Sequence, residues 1–176
     1  MFETIVRCPD IVIVDQTRAM KNETSGSLFT AGDVIVETQV SGGKLNVSVT
    51  AADTSVCKVR LRWHLSQKLR GQVLGDAWER AYGVLEWKNV TPWQTLPWYA
   101  LVNDGKTTVG YGVMVRPGAI CNWQLDPEGV TLWLDVRNGG DGVQLNGRKL
   151  LAAQVVSEVY EDMSAFAAAQ AFCRRM

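Results

Sequence analysis

The stretch Cys57-Lys58-Val59-Arg60-Leu61-Arg62-Trp63-His64-Leu65 alternates without a break between apolar and charged side chains. A period of two puts Cys57, Val59, Leu61, Trp63 and Leu65 on one face and Lys58, Arg60, Arg62 and His64 on the other, the pattern of a strand with one buried side. The same period recurs in both directions. Upstream, Val34, Val36, Thr38 and Val40 share a face, Ser41-Gly42-Gly43 turns, and Leu45, Val47 and Val49 alternate with Asn46, Ser48 and Thr50. That predicts a hairpin. Downstream, Thr95 to Val102 reads as one run and Asn103-Asp104-Gly105 as a turn. Thr107, Val109, Tyr111, Val113 and Val115 then share a face. After Arg116-Pro117-Gly118, the inward set is Ala119, Cys121, Trp123 and Leu125. Beyond Asp126-Pro127-Glu128-Gly129 it is Val130, Leu132, Leu134 and Val136. This parity leaves Trp133 on the polar side with Thr131 and Asp135, which predicts a second packed layer or a contact surface there.

The two ends read differently. Ile11 to Val14 is a short apolar run, and Gln16 to Gly32 is predicted as turn and loop. Val143 to Leu145 and Leu150 to Tyr160, around the Asn146-Gly147 turn, supply the last strands. From Asp162 the sequence becomes alanine-rich and helical. Asp162 or Ser164 can cap that helix, Arg174 and Arg175 complement its dipole, and Phe166, Ala169 and Phe172 or Cys173 mark its apolar stripe. No glycine, asparagine or proline stops it. The reading is therefore a domain over 1–161 and a linker helix over 162–176 that leads to a further domain. Ten or more short strands, with no alternation of strand and helix, predict an all-β fold: a large antiparallel β-sandwich with a C-terminal helix.

At 176 residues the chain suits one domain with a substantial core. Lys plus Arg equals Asp plus Glu at 18 each, so no net basic field draws nucleic acid or an anionic membrane. No run reaches the roughly 18 apolar residues that span a bilayer. The N-terminus shows no basic region followed by an apolar stretch; read as a native start, it places the protein in the cytoplasm. Cys8, Cys57, Cys121 and Cys173 are widely spaced and read as free thiols. With a single histidine, His64, an imidazole-built metal site is not expected, and His64 has no evident serine or cysteine partner for catalysis. The cluster Asn138 to Gly142 lacks the Gly-Lys-Ser/Thr of a phosphate loop, so no cofactor is expected either.

One stretch fits none of these patterns. Asp76 to Tyr99 holds four of the seven tryptophans, Trp78, Trp87, Trp93 and Trp98, among Asp76, Glu79, Arg80 and Glu86. Aromatic rings beside carboxylates and a guanidinium can stack on sugar faces and hydrogen-bond sugar hydroxyls, or they can fill the end of a core or a domain interface.

The run Leu74-Gly75-Asp76-Ala77-Trp78-Glu79-Arg80-Ala81-Tyr82-Gly83, followed by Leu85-Glu86-Trp87, resembles a segment in the N-terminal domains of melibiase-type glycoside hydrolases, the α-galactosidases and relatives of glycoside hydrolase family 36. Leu96-Pro97-Trp98-Tyr99, Gly110-Tyr111-Gly112-Val113, the run from Gly118 to Arg137 and the closing helix fit the same order, so the resemblance spans roughly residues 30 to 176. It implies a galactose-mutarotase-like supersandwich linked to a catalytic (β/α)8 barrel. That barrel would carry an aspartate nucleophile and an aspartate acid/base about 5 Å apart, in a retaining mechanism. Those residues would lie beyond Met176, leaving this chain non-catalytic. Asp76, Trp78, Arg80, Glu86 and Trp87 are then candidates for the rim of the sugar-binding entrance. Trp93, Trp98, Tyr99 and Trp133 are candidates for contact with the barrel or with sugar. Family members carry an acidic residue where this chain has Val84, which bears on galactose specificity. The implied partners are the barrel, a carbohydrate substrate and, in some relatives, further copies of the chain. Two other readings stand beside this one: an independent carbohydrate-binding module, and a purely structural or oligomerisation domain.

Overall fold

The computed structural model describes residues 2–15, 17–24, 26–77, 86–92, 94–137 and 139–176. Two antiparallel sheets face each other. The first runs from edge to edge as β11 (Leu96–Pro97), β14 (Ile120–Asp126), β15 (Gly129–Asp135), β8 (Lys58–His64), β1 (Ile11–Val14) and β2 (Arg18–Ala19). The second runs as β10 (Lys88–Asn89), β9 (Gln72–Gly75), β12 (Tyr99–Asn103), β13 (Thr108–Val113), β17 (Leu150–Tyr160), β6 (Lys44–Thr50), β5 (Val34–Ser41), β4 (Leu28–Ala31) and β3 (Lys21–Thr24). A small pair, β7 (Ser55–Val56) and β16 (Val143–Gln144), closes one side. Helix α1 spans Ala165–Arg175.

The alternation in β8 puts Val59, Leu61 and Trp63 wholly inside and leaves His64 exposed. Trp123 of β14 buries beside Trp63, and Tyr111 of β13 reaches it from the opposite sheet. Both ring pairs are tilted, with centroids 6.4 Å apart. This aromatic cluster joins the sheets across the core, and tilted rings at that spacing add to the apolar burial. Cys121 lies in the same core, and burial pushes its thiol up to about 12. All four cysteines are free thiols, Cys8 and Cys57 half-buried and Cys173 exposed.

Three readings of the sequence need correction. Gln16 to Gly32 is not simply turn and loop: it contributes β2, β3 and β4. The edge strands β2 and β3 are short and mostly polar, and β4, Leu28-Phe29-Thr30-Ala31, spans only four residues, so no sustained period of two reveals them. Thr95 to Val102 is not one run, because the chain leaves the first sheet after Pro97 and enters the second at Tyr99. The helix stripe is also rotated: Phe166 is 71% exposed, while Ala168 and Phe172 are wholly buried.

The reason for that rotation lies in β13, whose six residues are all buried. Val109, Tyr111 and Val113 face the core. The outer positions Gly110 and Gly112 leave a trough into which Phe172 drops. A Cβ at Gly110 would lie 2.5 Å from the Phe172 ring, and one at Gly112 would lie 2.5 Å from Met176 Sδ. Only glycine permits this approach. Phe172 there contacts Leu101 and Val156, with Leu74, Trp87, Tyr99 and Tyr160 packed around them. Ser164 caps the helix, its Oγ accepting from Ala167 N–H at 3.2 Å, and Arg175 pairs with Glu158 at 3.2 Å.

Candidate functional site at the sheet crossing

Trp98 is the residue at which the chain crosses between sheets, and its φ of +66° lies in the left-handed region that bulky side chains avoid. Its N–H donates to the Cys121 carbonyl in the first sheet at 3.2 Å, and its carbonyl accepts from Val113 N–H in the second at 3.1 Å. The same carbonyl accepts from Trp123 Nε1 at 3.1 Å. The crossing is thus held from both sheets and from the core, which supports an unfavourable φ.

Above it opens a hollow of about 520 Å³. Asp76, Trp98, Tyr99 and Arg116 line it, with Val115 and Pro117 on one rim and Cys173 and Met176 of the helix end on the other. Arg116 also has a positive φ, +61°. Its neighbour Val115 is 71% exposed. Ile120, a few residues along, and Leu151, on a neighbouring segment, are nearly half exposed. A Cβ on Gly118 would meet the Leu151 carbonyl at 2.4 Å, which places those two segments side by side.

Asp76 is buried, and its Oδ1 accepts from Ala77 N–H at 2.9 Å. Among the described residues that line the hollow, Asp76 is the only carboxylate. Among the described residues, then, no second carboxyl group stands beside Asp76 as the paired groups of glycoside hydrolysis would. The hollow can bind and orient, with an acid, an arginine and two aromatic rings around an apolar floor.

The residues singled out in the sequence divide into groups. Asp76, Trp98 and Tyr99 converge on the hollow. Trp87 is half-buried in the apolar layer around Phe172, in the same cluster as Tyr99 and Met176 of the hollow. Glu86 is exposed and pairs with Lys88 at 3.3 Å. Trp133 does not line the hollow; it stands on the outer face of the first sheet, beside Asn122 and Arg60. Trp78, Arg80, Trp93 and the Val84 position lie outside the described residues. Arg116 and Met176 were missed by the sequence reading, and Val115, read as sharing a face with Val109, Tyr111 and Val113, lies beyond the strand and is exposed. The one signal for Arg116 was the Arg-Pro-Gly turn that follows the strand, and Met176 had none. No group of three or more His, Cys, Asp or Glu side chains among the described residues is placed to hold a metal ion.

No protein-family profile matches the chain, and no curated protein matches it.

Proposed function

We propose that this chain is the non-catalytic β-sandwich domain of a glycoside hydrolase of the α-galactosidase type, and that it docks on the catalytic barrel through the sheet crossing. The observation that carries this reading is the hollow itself. Asp76, Trp98 and Tyr99 meet there beside an exposed apolar rim at Val115, and an apolar rim around a few fixed polar groups is how a surface meets a partner and a substrate together. Asp76, the start of the aromatic and charged stretch, lines this hollow, so on this reading that stretch serves the sugar entrance once the barrel is seated. The order of motifs from Leu74 to the closing helix supplies the enzyme class.

The test is the activity of this domain joined to its barrel, measured on p-nitrophenyl α-D-galactoside. A Val115→Asp substitution places a charge on the docking rim and leaves the core alone. It is expected to lower kcat/KM by about tenfold or more, because small displacements of substrate-positioning groups are that costly. The circular dichroism of the domain should not change. A wild-type protein without α-galactosidase activity, or a variant within about twofold of wild type, would overturn the proposal.

A further inference from the structure

The outer face of the first sheet carries a second, unrelated groove. Register across three strands sets one row of Asn122, Trp133 and Arg60 and a parallel row of Gln124, Thr131 and Arg62. Trp133 lies between two hollows of about 400 and 320 Å³ and lines both of them, as does Gln124. The Arg60 guanidinium covers the Trp133 ring at 5.4 Å from its centroid. Trp133 Nε1 donates to Gln124 Oε1 at 2.7 Å, which fixes the indole and leaves the Gln124 amide N–H groups to donate into the groove.

The floor is prearranged. Arg62 makes a two-pronged pair with Asp126, both contacts at 2.7 Å, and donates to Thr131 Oγ1 at 3.1 Å. Burial pulls the Asp126 carboxyl up, but the Arg62 guanidinium and the turn amides outweigh it and hold the group below its ordinary value. Lys58 approaches Asp135 at 3.8 Å. Arg60 meets no carboxylate among the described residues, so one cation of the groove stays uncompensated. Asn122 Oδ1 is buried without a hydrogen-bond partner. An unpaired buried acceptor is costly, and a small turn of the amide toward the hollow, met by a ligand hydroxyl, would remove that cost.

A flat apolar ring, an unmet acceptor, free amide donors and an uncompensated guanidinium together specify a ligand. It needs a stacking face, hydroxyl donors and an anionic group. We infer that this groove binds an acidic oligosaccharide, with neighbouring sugar units in the two hollows that Trp133 lines and a carboxylate at the Arg60 guanidinium that covers one face of the ring. Stacking and charge-assisted hydrogen bonds then act on one ligand. The inference needs no barrel, although the groove reaches toward the crossing: Asn122 pairs with Pro97, and Asp135 lines both this groove and the surface beside Trp98.

The experiment titrates the protein with trigalacturonate by calorimetry, with galactotriose and a twelve-residue oligothymidylate as comparisons. Trigalacturonate is expected to bind at least about fivefold tighter than galactotriose, and more weakly as salt rises. Trp133→Ala should weaken it about tenfold, as removal of a central aromatic anchor does. Arg60→Gln, which removes the guanidinium but keeps a polar end on this half-buried side chain, should abolish the preference for the acidic sugar. No binding at millimolar trigalacturonate, equal binding of the neutral sugar, an unchanged affinity in both folded variants, or tighter binding of the oligonucleotide would each overturn the inference.

Discussion

A Trp123→Ala protein is expected to lose about 3–5 kcal/mol of unfolding free energy, the usual cost of emptying a large aromatic site. Trp123 has no exposed surface and lies 6.4 Å from both Trp63 and Tyr111, so its removal opens a cavity between the sheets rather than at their edge. Little can collapse into that space, because the neighbouring Leu61, Leu132 and Leu134 are themselves fixed by strand pairing. The indole N–H to the Trp98 carbonyl is lost as well. That carbonyl keeps the Val113 N–H, so the second loss is about 1 kcal/mol. Trp123→Phe separates the two effects, retaining most of the volume but not the hydrogen bond. Urea midpoints for the two variants check the order. A Trp123→Ala shift worth less than about 1 kcal/mol would mean that the aromatic cluster does not join the sheets.

Phe172→Ala is the second large effect, and it should be local. A helix of 11 residues is too short to persist alone in water, so α1 exists because Phe172 fills the trough over Gly110 and Gly112. Truncation costs about 3–5 kcal/mol at that site. The helix sits outside the two sheets, however, and can detach without unfolding them. The expected result is a lower helical signal in circular dichroism and faster amide exchange over 165–175. The β-sheet transition should move far less. Gly110→Ala should reproduce this from the other side, because its Cβ would lie 2.5 Å from the Phe172 ring. Equal loss of helix and sheet would show that the two form one cooperative unit.

The structure also shows what residue order can and cannot reveal. Alternation identified β5, β6, β8, β14 and β15, because each has one buried face and the period of two is then unavoidable. It placed Trp133 outside by the same logic. It could not place the crossing at Trp98. Leu96 to Val102 is apolar throughout, and nothing in a tryptophan announces a positive φ. The stripe of α1 was misassigned because alanine-rich helices offer several faces, and the choice between Phe166 and Phe172 is made by two glycines about sixty residues away. At the hollow, Asp76, Trp98 and Tyr99 were legible as unusual loop residues. Arg116 and Met176 were not, since they reach the hollow only through the turn after β13 and the docked helix. The groove around Trp133 depends on register, which brings Asn122 and Arg60 to the same ring from strands about sixty residues apart.

The claim on which this account rests is that the sheet crossing is a face made to be covered by a catalytic domain. Hydroxyl-radical footprinting of this chain alone, and of the same chain joined to its barrel, measures that cover directly. Trp98, Cys173 and Met176 should be oxidised in the chain alone and several-fold protected in the joined protein, while Trp133, which does not line the hollow, changes less. Equal oxidation of Trp98, Cys173 and Met176 in the two proteins would contradict the account.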